Sequence, residues 1–165
     1  MENYQTPFGI VSISQNKEGI HSLMFVKNAR SKKVLPTFDL YKKYKLNPQG
    51  TSFQKQVWKA LLKIKKGQTK TYTEVAKMVG RPTAVRAVAS AVAKNSIAVL
   101  IPCHRVVRSD GGVGEYRWGT KLKVIILDCE KKKQPRSVSM TERGVSRCRY
   151  LGCDSLFASD PVGLL

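Results

Sequence analysis

The sequence predicts an α+β fold, in which a small N-terminal β-hairpin or sheet remnant precedes a mainly helical, winged-helix-like domain that contains a helix-turn-helix. Two strand-like segments, residues 8–14 and 20–26, flank a polar turn that contains Gly19, which is the pattern of a β-hairpin. After residue 50, helix-capping signals and apolar residues at helical spacing recur. The predicted parts are an N-terminal region (1–49), a helical domain (50–131) and a flexible tail (132–165).

Capping boxes open the first two predicted helices. Thr51 with Gln54 begins one helix, and Thr71 with Glu74 begins the next. The first helix is expected to end at residues 65–67, and Gly80 ends the second. The apolar face of the first helix consists of Phe53, Val57, Leu61 and Ile64. Both segments therefore have a defined start and a defined stop.

The third predicted helix covers residues 84–93 and is expected to be capped by Thr83. With the second helix and the turn at Pro82 it forms a helix-turn-helix. Its side chains are small, and Arg86 is its only long one, whereas a helix that reads base edges usually carries several long polar residues. If this helix contacts DNA, it does so with little sequence preference. The alternative is ordinary packing through alanines, with Arg86 in solvent.

The charge of the chain points to a polyanionic partner. Thirty Lys and Arg face 11 Asp and Glu, for a net charge of +19. Residues 27–66, which include a basic irregular connection to residue 50, hold twelve of these cations and one acid, Asp39. Nucleic acid is the first candidate, and a solvated lysine-rich surface is the alternative. No apolar run approaches the ~20 residues of a membrane span. The N-terminus lacks a signal pattern, so we expect an intracellular protein, nuclear in a eukaryote or cytoplasmic in a prokaryote.

The central motif lies at residues 97–107, where an aliphatic run ends at Pro102 and is followed at once by Cys103 and His104. Apolar runs bury themselves, so the motif carries a nucleophile and a base into a partly desolvated place. Pro102 has a fixed φ and no amide hydrogen, so the run must turn there. The alternative is a buried structural cysteine beside a surface histidine.

A carboxylate continues the apolar face of the last predicted helix, which Thr120 is expected to cap. Leu122, Ile126 and Glu130 follow one another at intervals of four and share that face. A buried carboxylate needs a partner, and His104 is the candidate. The alternative is a frayed helix end with Glu130 in water.

Features around the motif complete the candidate site. Asn95 precedes the aliphatic run, where helix C-capping is the ordinary role. Residues 108–119 are glycine-rich and are expected to form a loop that can close over Cys103. The four cysteines have neither a disulfide-framework pattern nor zinc-site spacing, so we expect no metal. They are Cys103, Cys129, Cys148 and Cys153.

From Gly50 to Glu130 the chain resembles the active-site domain of the O6-alkylguanine-DNA alkyltransferases, also called O6-methylguanine-DNA methyltransferases. The segment Thr6–Gly9 and the hairpin resemble the start of their N-terminal domain, which usually continues further, so residues 1–49 are expected to be a shortened version. The shared motifs are Gly50-Thr-x-Phe-x-x-x-Val-Trp58, Tyr72, Arg86-Ala-Val, Asn95, Ile-Pro-Cys103-His-Arg-Val-Val and Tyr116-Arg-Trp-Gly119.

The resemblance implies a suicide methyltransferase that moves an alkyl group from O6 of guanine to Cys103 without a cofactor. His104 would deprotonate the thiol through a water, and Glu130 would orient His104. Asn95 would brace the active-site turn. Tyr72 would crowd the target phosphate and later protonate the departing guanine oxygen. The product is a thioether, so each molecule acts once.

The resemblance also implies a monomer whose helix-turn-helix lies in the minor groove of double-stranded DNA. Arg86 would fill the gap left by a flipped nucleotide. The implied DNA-contacting residues are Tyr72, Thr83, Val85, Arg86, Ala87, Ala89, Ser90, Arg105 and Ser109. The implied pocket residues are Val106, Val113, Gly114, Tyr116 and Arg117, and the main-chain carbonyls of Cys103 and Val106 would hold the base edge.

Two other functions compete with this interpretation. One is an alkyltransferase-like protein that binds lesions and does no chemistry, but such proteins lack the acceptor cysteine. The other is a hydrolase with a Cys-His-Glu triad, which the absence of evident oxyanion donors and the basic charge disfavour.

Overall fold

The computed structural model describes residues 1–6, 8–27, 29–31, 33 and 45–131. The fold is α+β as predicted, with a three-stranded N-terminal sheet followed by helices, and one hydrophobic core joins them. Its elements are β1 (Glu2–Thr6), β2 (Gly9–Asn16), β3 (Gly19–Phe25), α1 (Ser52–Leu62), β4 (Lys70–Thr71), α2 (Tyr72–Met78), α3 (Val85–Ala93), a 3₁₀ turn (Cys103–Arg105), β5 (Val106–Val107) and α4 (Thr120–Lys131). The predicted tail and much of the basic connection lie outside the described residues, and the domain division stays a prediction.

The N-terminal sheet confirms the predicted hairpin and adds a strand. Strands β2 and β3 pair antiparallel, and Asn16 Oδ1 accepts hydrogen bonds from the amides of Glu18 and Gly19, 3.0 Å each, which close the turn. Gly19 has φ +141°, and a Cβ there would meet the Lys45 carbonyl oxygen at 2.2 Å, so only glycine fits. The unpredicted β1 pairs with β2 antiparallel.

The sheet is tied to the segment that leads into the central motif. Leu23 of β3 donates its amide hydrogen to the Ser96 carbonyl (2.9 Å) and accepts one from the Ala98 amide (2.7 Å). Ser96 Oγ also donates to the His21 carbonyl at 3.1 Å. The aliphatic run 97–101 is thus bonded along its edge by β3, and its side chains are buried.

Helices α1 and α2 begin with the two predicted capping boxes. Thr51 and Thr71 each accept from the third helical amide, and Gln54 and Glu74 return the bond. Helix α1 ends at Leu62, three residues before the predicted stop. The indole Nε1 of Trp58 on α1 donates to the Ala91 carbonyl on α3 at 2.9 Å, which fixes the two helices together.

Helix α3 begins differently from the prediction. Thr83 does not cap it; the capping position is Ala84, which supplies no side-chain bond. The Ala84 amide instead donates to the Arg81 carbonyl at 3.0 Å, so a tight turn precedes the helix and leaves Thr83 exposed. The helix-turn-helix arrangement of α2 and α3 is present, and Gly80 adopts φ +76° in the turn between them.

The last part of the fold brings the motif and α4 together. Strands β4 and β5 form a short parallel pair, with Lys70 opposite Val106. Residues 108–119 contain no helix or strand, as predicted. Thr120 is the first residue of α4 rather than its cap. None of the helices in the described part of the chain is both long and apolar enough to cross a lipid bilayer.

Candidate active site

The thiol of Cys103 lies where the buried run turns. Val99 has φ +64°, a left-handed conformation that is uncommon for a β-branched residue. The side chain of Asn95 fastens this turn: Nδ2 lies 3.1 Å from the Ile97 carbonyl oxygen, 3.0 Å from that of Ile101 and 3.1 Å from Cys103 Sγ. Asn95 Oδ1 accepts from the Ile97 amide at 3.0 Å. Asn95 is therefore a brace for the turn and the sulfur, while Lys94 holds the C-cap position of α3.

A cavity of about 370 Å³ opens onto the sulfur. This volume falls within the ~300–1,000 Å³ of small-molecule sites. Its walls come from α2, α3 and the glycine-rich loop, and they are Tyr72, Ala89, Val92, Ala93, Asn95, Cys103, Glu115, Tyr116, Arg117 and Trp118. Cys103 is thus almost fully buried yet reachable from a cleft beside the helix-turn-helix.

His104 and Glu130 meet as predicted. Nε2 of the imidazole lies 3.0 Å from Oε1 of Glu130, and both side chains are fully buried. Burial alone would raise the pKa of Glu130, but the hydrogen bonds and charges of His104 and Arg105 lower it to about 2. The ionised carboxylate can only accept, so Nε2 carries the proton and Nδ1 keeps its lone pair. Nδ1 is buried and has no hydrogen-bond partner within the described residues.

Burial sets the resting protonation of the thiol and the imidazole. Burial raises the pKa of the Cys103 thiol, and the Asn95 hydrogen bond and the Lys123 charge oppose it only in part. Burial lowers the pKa of His104 although Glu130 acts in the opposite direction. The resting pair is therefore a neutral thiol and a neutral imidazole, and the imidazole is in the form that can accept a proton.

Lys123 is a functional candidate that sequence reasoning missed. Its side chain is 1 % exposed, and Nζ donates to the Val106 carbonyl at 2.6 Å. Burial lowers the pKa of Lys123 to about 8, and the nearby Cys103 sulfur works against that shift. The signal was available, because Lys123 lies at helical spacing from the buried Ile126 and Glu130 on α4.

Two tyrosines border the sulfur. Burial raises the pKa of Tyr72, and both burial and the Cys103 sulfur raise the pKa of Tyr116 well above its ordinary value. The Tyr116 hydroxyl is buried and has no hydrogen-bond partner in the described part of the chain. Trp118 packs edge-on against Tyr116, with ring centroids 5.1 Å apart, and against Phe25 of β3 at 5.9 Å. This aromatic row links the N-terminal sheet to the cavity wall.

The predicted DNA-contacting residues fall into two groups. The exposed group consists of Thr83, Arg86, Ala87, Ser90 and Ser109. The half-buried group consists of Tyr72, Val85 and Ala89. These side chains are placed where a partner can reach them, and their roles stay predictions.

Arg105 was wrongly placed among the DNA contacts. The residue is 6 % exposed, and its guanidinium bonds inward to both Glu130 oxygens and to the Ile64 carbonyl. A buried guanidinium engaged in this way faces the Glu130 carboxylate and not a phosphate outside.

The predicted pocket set also needs correction. Tyr116 and Arg117 line the cavity, but Val106, Val113 and Gly114 do not. Val106 is buried in β5, and its carbonyl already accepts from Lys123. Sequence reasoning missed four wall residues, namely Val92, Ala93, Glu115 and Trp118. Their signal was the spacing of Ala89, Val92 and Ala93 on one face of α3 and the Tyr-Arg-Trp-Gly motif.

A metal site is not apparent in the part of the chain that the structure describes, where no three His, Cys, Asp or Glu side chains cluster suitably.

Comparison with known proteins identifies the family. Residues 52–132 match the family model described as 6-O-methylguanine DNA methyltransferase, DNA binding domain. The chain is 40% identical over 147 residues to a probable methylated-DNA–protein-cysteine methyltransferase of Acanthamoeba polyphaga mimivirus, with 80% of this chain and 97% of that protein covered. It is also 50% identical over 101 residues to the regulatory protein ada of Salmonella typhimurium, with 61% of this chain covered.

The chain spans only 29% of the length of that ada protein. Among solved structures, it matches Mycobacterium tuberculosis OGT in complex with DNA, with a TM-score of 0.68 and 30% identity, covering 81% of this chain and 93% of that one. The region that the family model matches contains the thiol, the imidazole–carboxylate pair and the helix-turn-helix. The chain therefore belongs to the O6-methylguanine-DNA methyltransferase family.

Proposed function

We propose that this protein repairs DNA by moving an alkyl group, such as methyl, from O6 of guanine to its own Cys103, once per molecule. The observation that carries the proposal is the position of Cys103 Sγ on the wall of a cavity beside α3, with the buried His104–Glu130 pair next to it in sequence and space. The mimivirus relative, which is named a probable methylated-DNA–protein-cysteine methyltransferase, supports the same activity.

The reaction is a displacement at saturated carbon. A sulfur lone pair forms the new S–C bond, the C–O6 bond breaks, and its electron pair leaves with the guanine oxygen. The thiol proton passes through a water to Nδ1 of His104, and Glu130 stabilises the imidazolium that forms. Tyr72, on the cavity wall, supplies a proton to the departing guanine. Lys123 and Asn95 stabilise the negative charge on sulfur as the proton leaves.

The partner in this proposal is double-stranded DNA with little sequence preference, bound by a monomer. The target atom is hidden in the duplex, so the base must be flipped out, at a cost of a few kcal/mol. The exposed small residues of α3 permit close approach to the minor groove, and Arg86 takes the place of the flipped nucleotide. Residues 50–131 act as the DNA-binding and active-site unit, in the compartment that holds the DNA.

Intact-mass measurement after incubation with methylated duplex tests the proposal. We expect one methyl group per molecule, located on Cys103 by peptide mapping, and no further turnover. Cys103→Ala abolishes transfer, whereas the matched variant Cys129→Ala, at another buried thiol, retains it. Release of repaired DNA in molar excess over protein, or duplex binding without any transfer, contradicts the proposal; the second result indicates a lesion-binding protein.

A further inference from the structure

A basic surface lies along helix α1 and its C-cap residue Lys63, outside the site described above. Lys55, Lys59 and Lys63 follow one another at intervals of four residues and are all exposed. We name these three residues the lysine ridge. No Asp or Glu occurs from residue 45 to residue 73, so the sequence around the ridge carries only positive charge.

The ridge faces away from the DNA-contacting side of α3. On α1, the buried residues Val57, Trp58 and Leu61 pack towards α3 and lie on the opposite side of the helix from the ridge. On α3, Val88 and Ala91 pack inward, which leaves the exposed side chains on the other side of that helix. The two helices form successive layers, so a duplex held by α3 cannot also lie along the ridge.

A groove of about 270 Å³ borders the ridge. The groove is lined by Ser52, Lys55, Gln56 and Lys59 of α1 and by Leu46, Asn47 and Pro48, and most of its exposed surface is apolar. Asn47 donates to Glu18 at 2.6 Å, which places a carboxylate beside the groove. The positive charge of this surface therefore comes from the ridge lysines, two of which border the groove.

We propose that the lysine ridge binds the phosphate backbone of a second DNA duplex, so that one molecule bridges two DNA segments. The proposal rests on the proposed function for the first duplex, which α3 holds. The three lysines lie about 6 Å apart along the helix axis, so each can contact one phosphate of a DNA backbone. An acidic protein is the competing partner, and displacement by poly-glutamate in the test below distinguishes it from a duplex. None of the exposed large hydrophobic residues of the described chain lies on α1.

Bridging has a direct use in a search for rare lesions. A molecule that touches a second duplex before it leaves the first can transfer between segments without passing through free solution. The contact with the second duplex is purely electrostatic, so it has no sequence preference and weakens steeply with added salt.

The test uses the full chain and two short unmodified duplexes, one carrying a donor dye and the other an acceptor dye. We expect energy transfer between the dyes when the duplexes are in excess over the protein. The transfer should disappear when the protein is in excess, because each duplex then has its own protein molecule. Sedimentation should show a complex of one protein with two duplexes. The triple variant Lys55→Gln/Lys59→Gln/Lys63→Gln should reduce bridging about tenfold and lower the salt slope of second-duplex binding by about 3. The charge-matched control Lys17→Gln/Lys121→Gln/Lys131→Gln, at exposed lysines elsewhere, should bridge like the wild type.

The proposal is overturned if bridged complexes always contain two protein molecules, or if the control triple variant loses bridging as much as the ridge variant does. It is also overturned if poly-glutamate displaces the second duplex at a lower concentration of charge than competing duplex does. Methyl transfer to Cys103 on a single short duplex is measured in parallel. Loss of bridging with intact transfer refutes only the ridge, whereas bridging without transfer refutes only the proposed repair activity.

Discussion

Arg105 and Glu130 form a buried, bidentate ion pair. Arg105 Nη2 lies 2.8 Å from Oε1, and Nε lies 3.1 Å from Oε2. The same carboxylate receives His104 Nε2 on Oε1. One buried negative charge therefore holds both a permanent cation and the candidate general base, and it sets the orientation and tautomer of the imidazole.

Loss of this pair should destabilise the fold without affecting electrostatic contact with DNA. Arg105→Ala leaves Glu130 buried without its cation, a change that typically costs 3–5 kcal/mol, about the size of a marginal domain's stability. Arg105→Lys keeps the charge but cannot make the bidentate hydrogen bonds of a guanidinium. We therefore expect an intermediate loss of unfolding free energy in chemical denaturation. The salt dependence of duplex affinity should stay unchanged in Arg105→Ala, measured under conditions where this variant is folded; a slope smaller by about one would restore Arg105 to the DNA interface.

Glu130 should also give the protein a specific acid sensitivity. Its pKa is about 2 in the folded chain against an ordinary value of 4.5, so the unfolded chain binds the proton more readily. The stabilisation is fully present above about pH 4.5 and is lost as pH falls towards 2, and it amounts to roughly 3 kcal/mol.

Urea unfolding between pH 6 and pH 3 measures this effect. Glu130→Gln should be less stable than the wild type at pH 6, and the difference should shrink towards pH 3. Asp128→Asn, an exposed carboxylate on the same helix, serves as the control and should follow the wild-type curve. A constant difference between Glu130→Gln and the wild type across this range would contradict the assigned pKa.

Local sequence signals predicted the helices better than the strands. The capping boxes at Thr51 and Thr71 are interactions within four residues, and both formed as predicted. Strand β1 is polar and is stabilised by pairing with β2, a contact that no local pattern reveals. Thr83 failed as a cap because the turn before α3 satisfies its own backbone through Arg81 and Ala84.

The same distinction applies to the site. Helical periodicity placed Glu130 on the buried face of α4, and the pairing with His104 followed from the need for a partner. For Arg105, a sequence cannot show whether a guanidinium turns outward to a phosphate or inward to a carboxylate, because the answer depends on where α4 packs. Helical spacing indicates that Lys123 lies on the buried face of α4, but its acceptor, the Val106 carbonyl, is 17 residues away in sequence and could not be predicted.

Lys123 should tune the reactivity of the Cys103 thiol. Its positive charge lowers the pKa of a thiol that burial otherwise raises, so Lys123→Met should raise that pKa further. We expect Lys123→Met to slow the alkylation of Cys103 by iodoacetamide most strongly below about pH 8, where Lys123 is protonated, and to change the rate little at higher pH. Lys121→Met, an exposed lysine on the same helix, should keep the wild-type rate throughout. A wild-type rate below pH 8 in Lys123→Met would remove Lys123 from the electrostatics of the sulfur.

Arg86 should matter only when the target base has to be extracted from a duplex. The side chain is exposed on the first turn of α3 and does not line the cavity, so it is placed to act on the DNA rather than on the thiol. Because flipping costs a few kcal/mol, we expect Arg86→Ala to slow methyl transfer from duplex DNA by about tenfold or more, at ~1.4 kcal/mol per factor of ten. Transfer from free O6-methylguanine base should stay close to the wild-type rate.

Lys121→Ala serves as the control, because it removes one positive charge from α4 and should retain both rates. This control separates a specific role of Arg86 in the flipped state of the DNA from a general loss of positive charge. Equal slowing on duplex and free base would show that Arg86 supports the active site itself and not the flipped state of the DNA.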